Sequence, residues 1–160
     1  MPKITPNLWF DTQAQEAAEF YCSVFPNSRI VSVTHYTEAG PREAGSVLTV
    51  AFELDGTRFV AINGGPEFTF DEAVSFEIDC ADQDEIDYYW DKLSADGGKE
   101  GPCGWVQDKH GLWWQVVPVG MEELFADPDT SRATRAMAAM LKMGKLDVAE
   151  LQRAADGVSA

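Results

Sequence analysis

The sequence predicts an α+β fold in which a strand–helix–strands unit occurs twice and is followed by helices. Three observations predict it. Short runs of β-branched and aromatic residues alternate with polar ones, an acidic helix cap follows the first strand of each half, and a glycine turn precedes each half's last strand. At 160 residues and 45% hydrophobic, the chain suits one domain with a real core. We expect the domain at 1–120, with module one at about 1–66, module two at about 70–120, and a helical C-terminal extension at 121–160.

Module one is expected to begin with a strand at Ile4–Phe10. Asp11 offers a cap for the helix that follows, whose apolar residues recur at helical spacing until the stop at Pro26-Asn27. The pair Asp55-Gly56 is a hairpin signal between two apolar runs. Further strands are therefore predicted at Ile30–Tyr36, Ser46–Leu54 and Thr57–Asn63.

Module two repeats this order. Val74–Cys80 reads as a strand, and Asp82 with Glu85 resembles a capping box for the next helix. A short strand around Trp105 and a last strand at Leu112–Val117 flank the turn that ends in glycine. Because residues 99–104 carry little strand signal, one strand of this module must be short. A unit that occurs twice in one chain indicates an internal duplication.

The C-terminal extension has a different pattern. Asp127-Pro128-Asp129 opens a helix with an apolar stripe at helical spacing, and Asp147 with Glu150 caps a second, short helix. The stripe consists of Ala133, Ala136, Met137, Met140 and Leu141. Methionine-rich stripes pack in cores, form subunit contacts or present a flexible surface to ligands. The sequence leaves these three alternatives open.

Charge and cysteine usage restrict the partners. A net charge of −15 and a pI of about 4.3 argue against nucleic acid and anionic membranes as partners. No stretch approaches the ~18 apolar residues of a membrane helix, and the N-terminus has no apolar signal core. The three cysteines form no CxxC pair, and their odd number favours a reducing compartment. We therefore expect a cytoplasmic location.

Gln115 is the polar residue that most needs an explanation. It interrupts the apolar strand Leu112–Val117, where an unpaired buried amide would cost about 1–3 kcal/mol. Strand alternation places Trp113, Gln115 and Val117 on one face, and Trp114 on the other. Aromatic walls with a few polar groups are typical of small-molecule pockets. The predicted lining consists of Trp9, Asn63, Trp105, Trp113, Trp114 and Gln115. The alternative is that the tryptophans merely fill the space between sheet and helices.

Several segments together resemble the PhnB-like proteins of the vicinal oxygen chelate superfamily, which includes glyoxalase I, bleomycin resistance proteins and extradiol dioxygenases. The segments are Ile4–Asp11, Glu19–Tyr21 with Phe25–Ser28, Gly56–Pro66, and Cys103–Trp105 through Pro118. The resemblance implies two βαβββ modules forming a curled mixed sheet around a shared cleft, and a homodimer. Members are often catalogued as 3-demethylubiquinone-9 3-methyltransferase domain proteins.

The resemblance also implies a position for a metal. In metal-dependent relatives the final ligand follows the hairpin glycine by four residues, which is Gln115 here, after Gly111. Asn63 ends the closing strand of module one where relatives carry a carboxylate, so Gln115 and Asn63 are the weak candidate ligands. His35 and His110 are the chain's two histidines and show no ligand spacing. We predict no cofactor and no strong metal site, although a divalent ion is compatible with the resemblance.

The sequence supports two functions and identifies no catalytic residue. The first is metal-free binding of a small molecule, and the second is a metal-dependent lyase, isomerase or dioxygenase activity. Methyl transfer is not expected, because a Rossmann-type methyltransferase needs a glycine-rich loop between a strand and a helix. Gly64-Gly65 precedes Pro66 and no clear helix.

Overall fold

A computed structural model describes residues 2–158 of the chain. It divides into two compact units, Met1–Phe70 and Asp71–Ala160. Each unit contains one four-stranded mixed sheet with a helix that follows its first strand. The two βαβββ modules predicted from the sequence are therefore present.

The first unit consists of β1 (Asn7–Phe10), α1 (Ala14–Val24), β2 (Arg29–His35), β3 (Val47–Leu54) and β4 (Thr57–Asn63). Its strands lie in the order β1-β4-β3-β2, with β1 parallel to β4 and the other pairs antiparallel. Helix α1 packs on β3 and β4. The buried core between them includes Leu8, Phe10, Tyr21, Val50, Phe52, Phe59 and Ala61.

The start of α1 differs from the prediction. Asp11 does not cap this helix; Gln13 occupies the cap position and its side chain makes no capping bond. Instead, Asn63 Oδ1 accepts a hydrogen bond of 2.8 Å from the backbone N–H of Ala14. An amide from the end of β4 thus satisfies one of the N–H groups that a helix start leaves without a partner. Asp11 contacts Arg42 instead, at 3.4 Å.

The second unit contains β5 (Ser75–Cys80), α2 (Gln83–Ser94), β6 (Lys99–Glu100), β7 (Trp105–Gln107) and β8 (Trp113–Pro118). The strand order is β5-β8-β7-β6, with β5 parallel to β8 and the other pairs antiparallel, which repeats the pattern of the first sheet. Strand β6 has two residues, as the weak signal before residue 104 predicts.

The predicted capping box at the start of α2 forms. Asp82 accepts a hydrogen bond of 2.9 Å from Glu85 N, and Glu85 accepts one of 2.7 Å from Ala81 N. The reciprocal bond thus goes to the residue before the cap. Ile86, Tyr89, Trp90 and Leu93 form the buried side of this helix.

The C-terminal extension forms three helices, α3 (Met121–Phe125), α4 (Thr130–Met140) and α5 (Val148–Ala155), of which α3 is not anticipated by the sequence pattern. Asp129 caps α4 and Asp147 caps α5, as predicted. The extension packs against the second module. Leu146 and Leu151 form a buried cluster with Val117 at the end of β8.

The loop between α4 and α5 is held by hydrogen bonds. Cys103 N donates to Met143 O and Gly104 N to Gly144 O, each at 2.8 Å. The side chain of Gln83 donates to Leu146 O at 3.0 Å and accepts from Val148 N at 2.8 Å. The extension is therefore an integral layer of the second unit. None of the helices in residues 2–158 is long and apolar enough to cross a membrane.

Candidate functional site

Gln115 lies on an inner strand of the second sheet, between an acidic residue and an aromatic one. Its register partner on β5 is Glu77, and its partner on β7 is Trp105. Because strand partners share a face, a carboxylate, an amide and an indole stand side by side. The opposite face of this sheet carries Trp114 and Val116, which are buried.

An open cavity of about 580 Å³ lies over this face. The sheet and the turn before β7 contribute one side, and helices α3 and α4 with the residue after α3 contribute the other. Its lining consists of Glu77, Cys103, Trp105, Gln115 and Val117 together with Met121, Glu122, Phe125, Ala126 and Met140. A cavity of this size accommodates a small organic molecule.

The amide of Gln115 is half-buried and only partly satisfied. Its Nε2 donates to the hydroxyl of Ser75 at 2.9 Å. Within residues 2–158, no donor contacts its Oε1 atom. An acceptor on a cavity wall with no internal donor is available to a ligand, and a partly buried amide gains from such a bond.

Glu77 has a perturbed acidity. Burial raises the pKa of the Glu77 carboxyl, and a hydrogen bond to Asp79 and the negative charges of Asp79 and Glu122 raise this pKa further. Each cause disfavours the ionised form. The sheet face beside Gln115 thus carries a carboxylate that a positively charged or hydrogen-donating group would stabilise.

Trp114 does not line this cavity. Its side chain is 3% exposed, tilts against Phe76 at 5.7 Å between ring centroids, and donates from Nε1 to Asp108 Oδ2 at 2.7 Å. Asp108 is itself buried and also accepts from the backbone N–H groups of His110 and Leu112. For Trp114 the structure therefore shows the core-filling alternative.

Trp113 is close to the cavity without lining it. It lies on the same face as Gln115, and its ring contacts that of Trp105 edge-on, with 6.3 Å between centroids. Trp105 is on the wall itself. Of the residues predicted to line a pocket, the structure thus brings Gln115 and Trp105 together at one cavity, with Trp113 beside them.

Asn63 and Trp9 belong to the first unit and have structural roles there. Asn63 is 6% exposed; besides its bond to Ala14, its Nδ2 donates to Val47 O at 3.1 Å and its backbone carbonyl accepts from Tyr36 Oη at 2.6 Å. Trp9 donates from Nε1 to Gly65 O at 2.9 Å. The side-chain atoms of Asn63 are therefore occupied by backbone partners.

A second open cavity, of about 670 Å³, lies in the first unit and includes Asn63 in its wall. Arg42 is its one basic lining residue and faces three acids, Asp11, Glu43 and Glu67. Arg42 forms an ion pair with Asp11 at 3.4 Å, so its charge is already matched within the wall. This wall offers no aromatic surface for a ligand.

Sequence reasoning missed several residues of the cavity beside Gln115. Glu77 sits on a strand where alternation leaves the direction open, and solvation is the default for a strand carboxylate. Met121, Glu122 and Phe125 belong to α3, which has five residues and no capping signal from a side chain. Gln115 is the sequence signal on this face of β8, whereas no signal in the sequence indicates the helices that cover it.

Comparison with known proteins supports the fold. A family model described as 3-demethylubiquinone-9 3-methyltransferase matches residues 2–117. The solved structure of a PhnB protein from Bacillus cereus is 35% identical over 74% of this chain and 100% of that chain, with a TM-score of 0.65. Among curated proteins, none matches this chain.

Two more distant structures share the fold alone. Protein PA1353 from Pseudomonas aeruginosa is 16% identical over 74% of this chain and 98% of its own, with a TM-score of 0.60. The fosfomycin resistance protein FosX from Listeria monocytogenes is 14% identical over 77% of this chain and 97% of its own, with a TM-score of 0.51. The family model and the Bacillus cereus structure confirm the predicted resemblance, and all three structures confirm the fold class.

Proposed function

The chain belongs to the 3-demethylubiquinone-9 3-methyltransferase (PhnB-like) family of the vicinal oxygen chelate superfamily, and on that premise we propose that it binds a small organic molecule in the cavity beside Gln115. The observation that carries the proposal is the half-satisfied amide of Gln115 on the cavity wall. Trp105 and Phe125 supply aromatic surface next to it. Amide hydrogen bonding fixes the orientation of a ligand, and aromatic contact supplies most of the buried area.

The charges of the cavity favour a neutral or cationic ligand. None of the described residues that line it is a lysine, arginine or histidine, whereas Glu77 and Glu122 are carboxylic acids. The whole chain carries a net charge of −15, which adds a long-range field of the same sign. An anionic ligand would have to overcome both contributions.

A metal-dependent lyase, isomerase or dioxygenase reaction is the second candidate. The observation that favours it is the pairing of Glu77 with Gln115, which brings two oxygen donors onto adjacent strands. Residues 2–158 contain no group of three or more histidine, cysteine, aspartate or glutamate residues arranged to hold an ion. Two donors are short of the four to eight ligands that divalent ions take in proteins, so this donor set alone does not fit a resident ion.

Methyl transfer is not part of the proposal, although the family is described by that activity. A glycine-rich loop that feeds a helix would let backbone N–H groups approach a cofactor. In the structure, Gly64-Gly65-Pro66 leads into a turn and extended backbone, and the next element is β5.

We also propose a homodimer in the cytoplasm. Met137 on α4 and Leu141, the residue that follows this helix, are 40% and 62% exposed, which leaves apolar surface for a subunit contact. The three cysteines are free thiols, in keeping with a reducing compartment. Light scattering should give a mass twice the 17.6 kDa of the chain, and a monomer at micromolar concentration would refute the dimer.

The binding proposal can be tested with a library of neutral and cationic aromatic fragments screened by ligand-observed NMR. We expect fragments that bind the native chain to bind Gln115→Leu about tenfold or more weakly. The hydrogen bond to the Gln115 amide is lost, and the ligand group that made it is left desolvated without a partner. Gln152→Leu, at an exposed position on α5, is the matched control and should bind normally. Fragments that bind both variants equally well would refute the proposal.

Elemental analysis separates the two candidate functions. Protein purified without chelators should contain no stoichiometric zinc, iron, manganese or nickel if the metal-free binding function is right. A stoichiometric ion that Glu77→Gln and Gln115→Leu both remove would instead establish the metal-dependent candidate.

A further inference from the structure

The C-terminal helices are an addition to the family's shared chain. The family match ends at residue 117, and α3, α4 and α5 all lie beyond it. These helices are bonded to the second module through Gln83 and the turn at Cys103-Gly104. Lys145 in the loop before α5 also contacts Asp87 on α2 at 2.8 Å. These contacts hold the loop before α5, and Met121 and Leu124 of α3 pack against the buried cluster of Val117, Leu146 and Leu151.

Half of the cavity wall beside Gln115 comes from this segment. Met121 and Phe125 lie one turn apart on α3, and Met140 is at the end of α4. Residues four apart on a helix project to the same side, so Met121 and Phe125 present a continuous apolar surface. They line the same cavity as the strand residues Trp105 and Val117. The part of the chain outside the family match thus provides half of the lining residues, four of which are apolar.

The same helix adds a charge to the cavity. Glu122 lines it from α3, and Glu77 lines it from β5. The negative charge of Glu122 is one of the causes that raise the pKa of the Glu77 carboxyl, so the two groups interact through space. The adjacent residue, Glu123, lines a different cavity of about 370 Å³ with Leu124 and Leu151. Two neighbouring glutamates of one helix are therefore directed to different sites.

We propose that the C-terminal segment is the selectivity element of the binding site, and that Glu122 makes the site prefer an organic ammonium ion with an apolar body. This inference rests on the proposed binding function. The apolar body would lie between Trp105 and the surface of Met121 and Phe125. The ammonium group would lie between Glu77 and Glu122, where its positive charge offsets the repulsion between the two carboxylates. The Oε1 atom of Gln115 accepts one of the ammonium hydrogens.

Three probes with one shape and different head groups test this inference on the full chain. Naphthylmethylamine is a cation near neutral pH, naphthylmethanol is neutral and naphthoate is an anion. Calorimetry at low ionic strength should rank the amine above the alcohol and the alcohol above the carboxylate. In Glu122→Gln the preference for the amine over the alcohol should fall about three- to fivefold, the scale of one partly exposed charge pair.

Glu123→Gln is the matched control, since it removes the same charge from the same helix without touching this cavity. It should leave the ratio of amine to alcohol affinity unchanged. An equal fall in both variants would show that only the overall charge matters and would overturn the inference. A ratio of amine to alcohol affinity in Glu122→Gln equal to that of the native chain would also overturn the inference.

The experiments give different results if the ammonium preference is wrong than if the proposed binding function is wrong. Probes that bind, lose affinity in Gln115→Leu and keep the native ratio of amine to alcohol affinity in Glu122→Gln would overturn the role of the C-terminal segment alone. Failure of all three probes to bind would overturn the ammonium preference. Loss of binding in Phe125→Ala for all three probes, with normal thermal stability, is the result expected if α3 provides the apolar wall.

Discussion

Glu77 and Gln115 are direct neighbours on the parallel strands β5 and β8 and share a wall of the same cavity. The buried side chains of Trp114 and Val116 lie on the opposite face of the sheet, so neither Glu77 nor Gln115 belongs to that part of the core. A carboxylate and an amide at such a position are available for a ligand.

The charge of Glu122 should be measurable at Glu77. Burial is the largest cause of the raised Glu77 pKa, and Glu122 is a smaller one. Glu122→Gln should therefore lower the pKa of Glu77 toward its ordinary value without restoring it fully. Carboxyl carbon shifts in a pH titration measure this, and Glu123→Gln should leave the pKa unchanged. A pKa of Glu77 that does not move in Glu122→Gln would contradict the placement of α3.

The raised pKa of Glu77 makes the stability of the fold depend on pH. Because the folded chain holds the Glu77 proton more tightly than the unfolded chain does, this group's stabilising contribution is present below its unfolded pKa. It is lost as pH rises through the raised folded pKa. Glu77→Gln should therefore become more stable relative to the native chain as pH rises from acid to neutral. Denaturation at several pH values measures the difference, and a constant offset would contradict it.

Asp108 should be among the most sensitive positions of the second unit. It is 2% exposed and accepts hydrogen bonds from Trp114 Nε1 and from two backbone N–H groups. Asp108→Ala removes three hydrogen bonds at a buried position, and should cost about 3 kcal/mol of unfolding free energy in urea titration. Asp71→Ala removes one exposed turn bond, to Ala73 N, and should cost under about 0.5 kcal/mol. Equal losses would contradict the buried network.

Asn63 should matter for folding and not for binding. Its amide joins the start of α1 to the end of β4 and to Val47. Asn63→Ala should therefore cost about 2 kcal/mol of unfolding free energy, while fragment affinity at the second-unit cavity stays native. Asn7→Ala, at an exposed strand position, is the control and should change stability little. A loss of binding by folded Asn63→Ala would restore Asn63 as a site residue.

Gln83 should control how firmly the C-terminal helices are held. Its side chain is bonded to the backbone on both sides of Asp147. Gln83→Ala should expose α5 to hydrogen exchange and lower stability by about 1–2 kcal/mol. Gln15→Ala, which loses only an exposed bond to Glu19, should leave the exchange of α5 native. Unchanged protection in Gln83→Ala would contradict the attachment described above.

Local signals explain what could be predicted. Strand β4 has the predicted bounds because Asp55 and Gly56 form a turn whose positive φ angles of 46° and 83° these residue types tolerate. The caps at Asp82, Asp129 and Asp147 are also local, since each acidic side chain bonds an N–H two or three residues ahead. Such signals need no knowledge of the fold.

Long-range packing explains the rest. Asn63 bonds the start of α1 from 49 positions away, which displaces the cap that Asp11 offers. Ile4 is 87% exposed, so the first strand begins only at Asn7. Alternation puts Trp114 and Gln115 on opposite faces of β8, but it does not say which of the two side chains is buried in the core. The bond from Trp114 to Asp108 and the packing on Phe76 fix that choice.

The most direct measurement of the central claim is the side-chain NH₂ signal of Gln115 during titration with naphthylmethanol. Binding at the cavity should shift this signal and the indole N–H signal of Trp105 along one saturation curve, with the NH₂ signal of Gln152 unmoved. If the probe binds while the Gln115 signal stays in place, the ligand site lies elsewhere and the account is wrong.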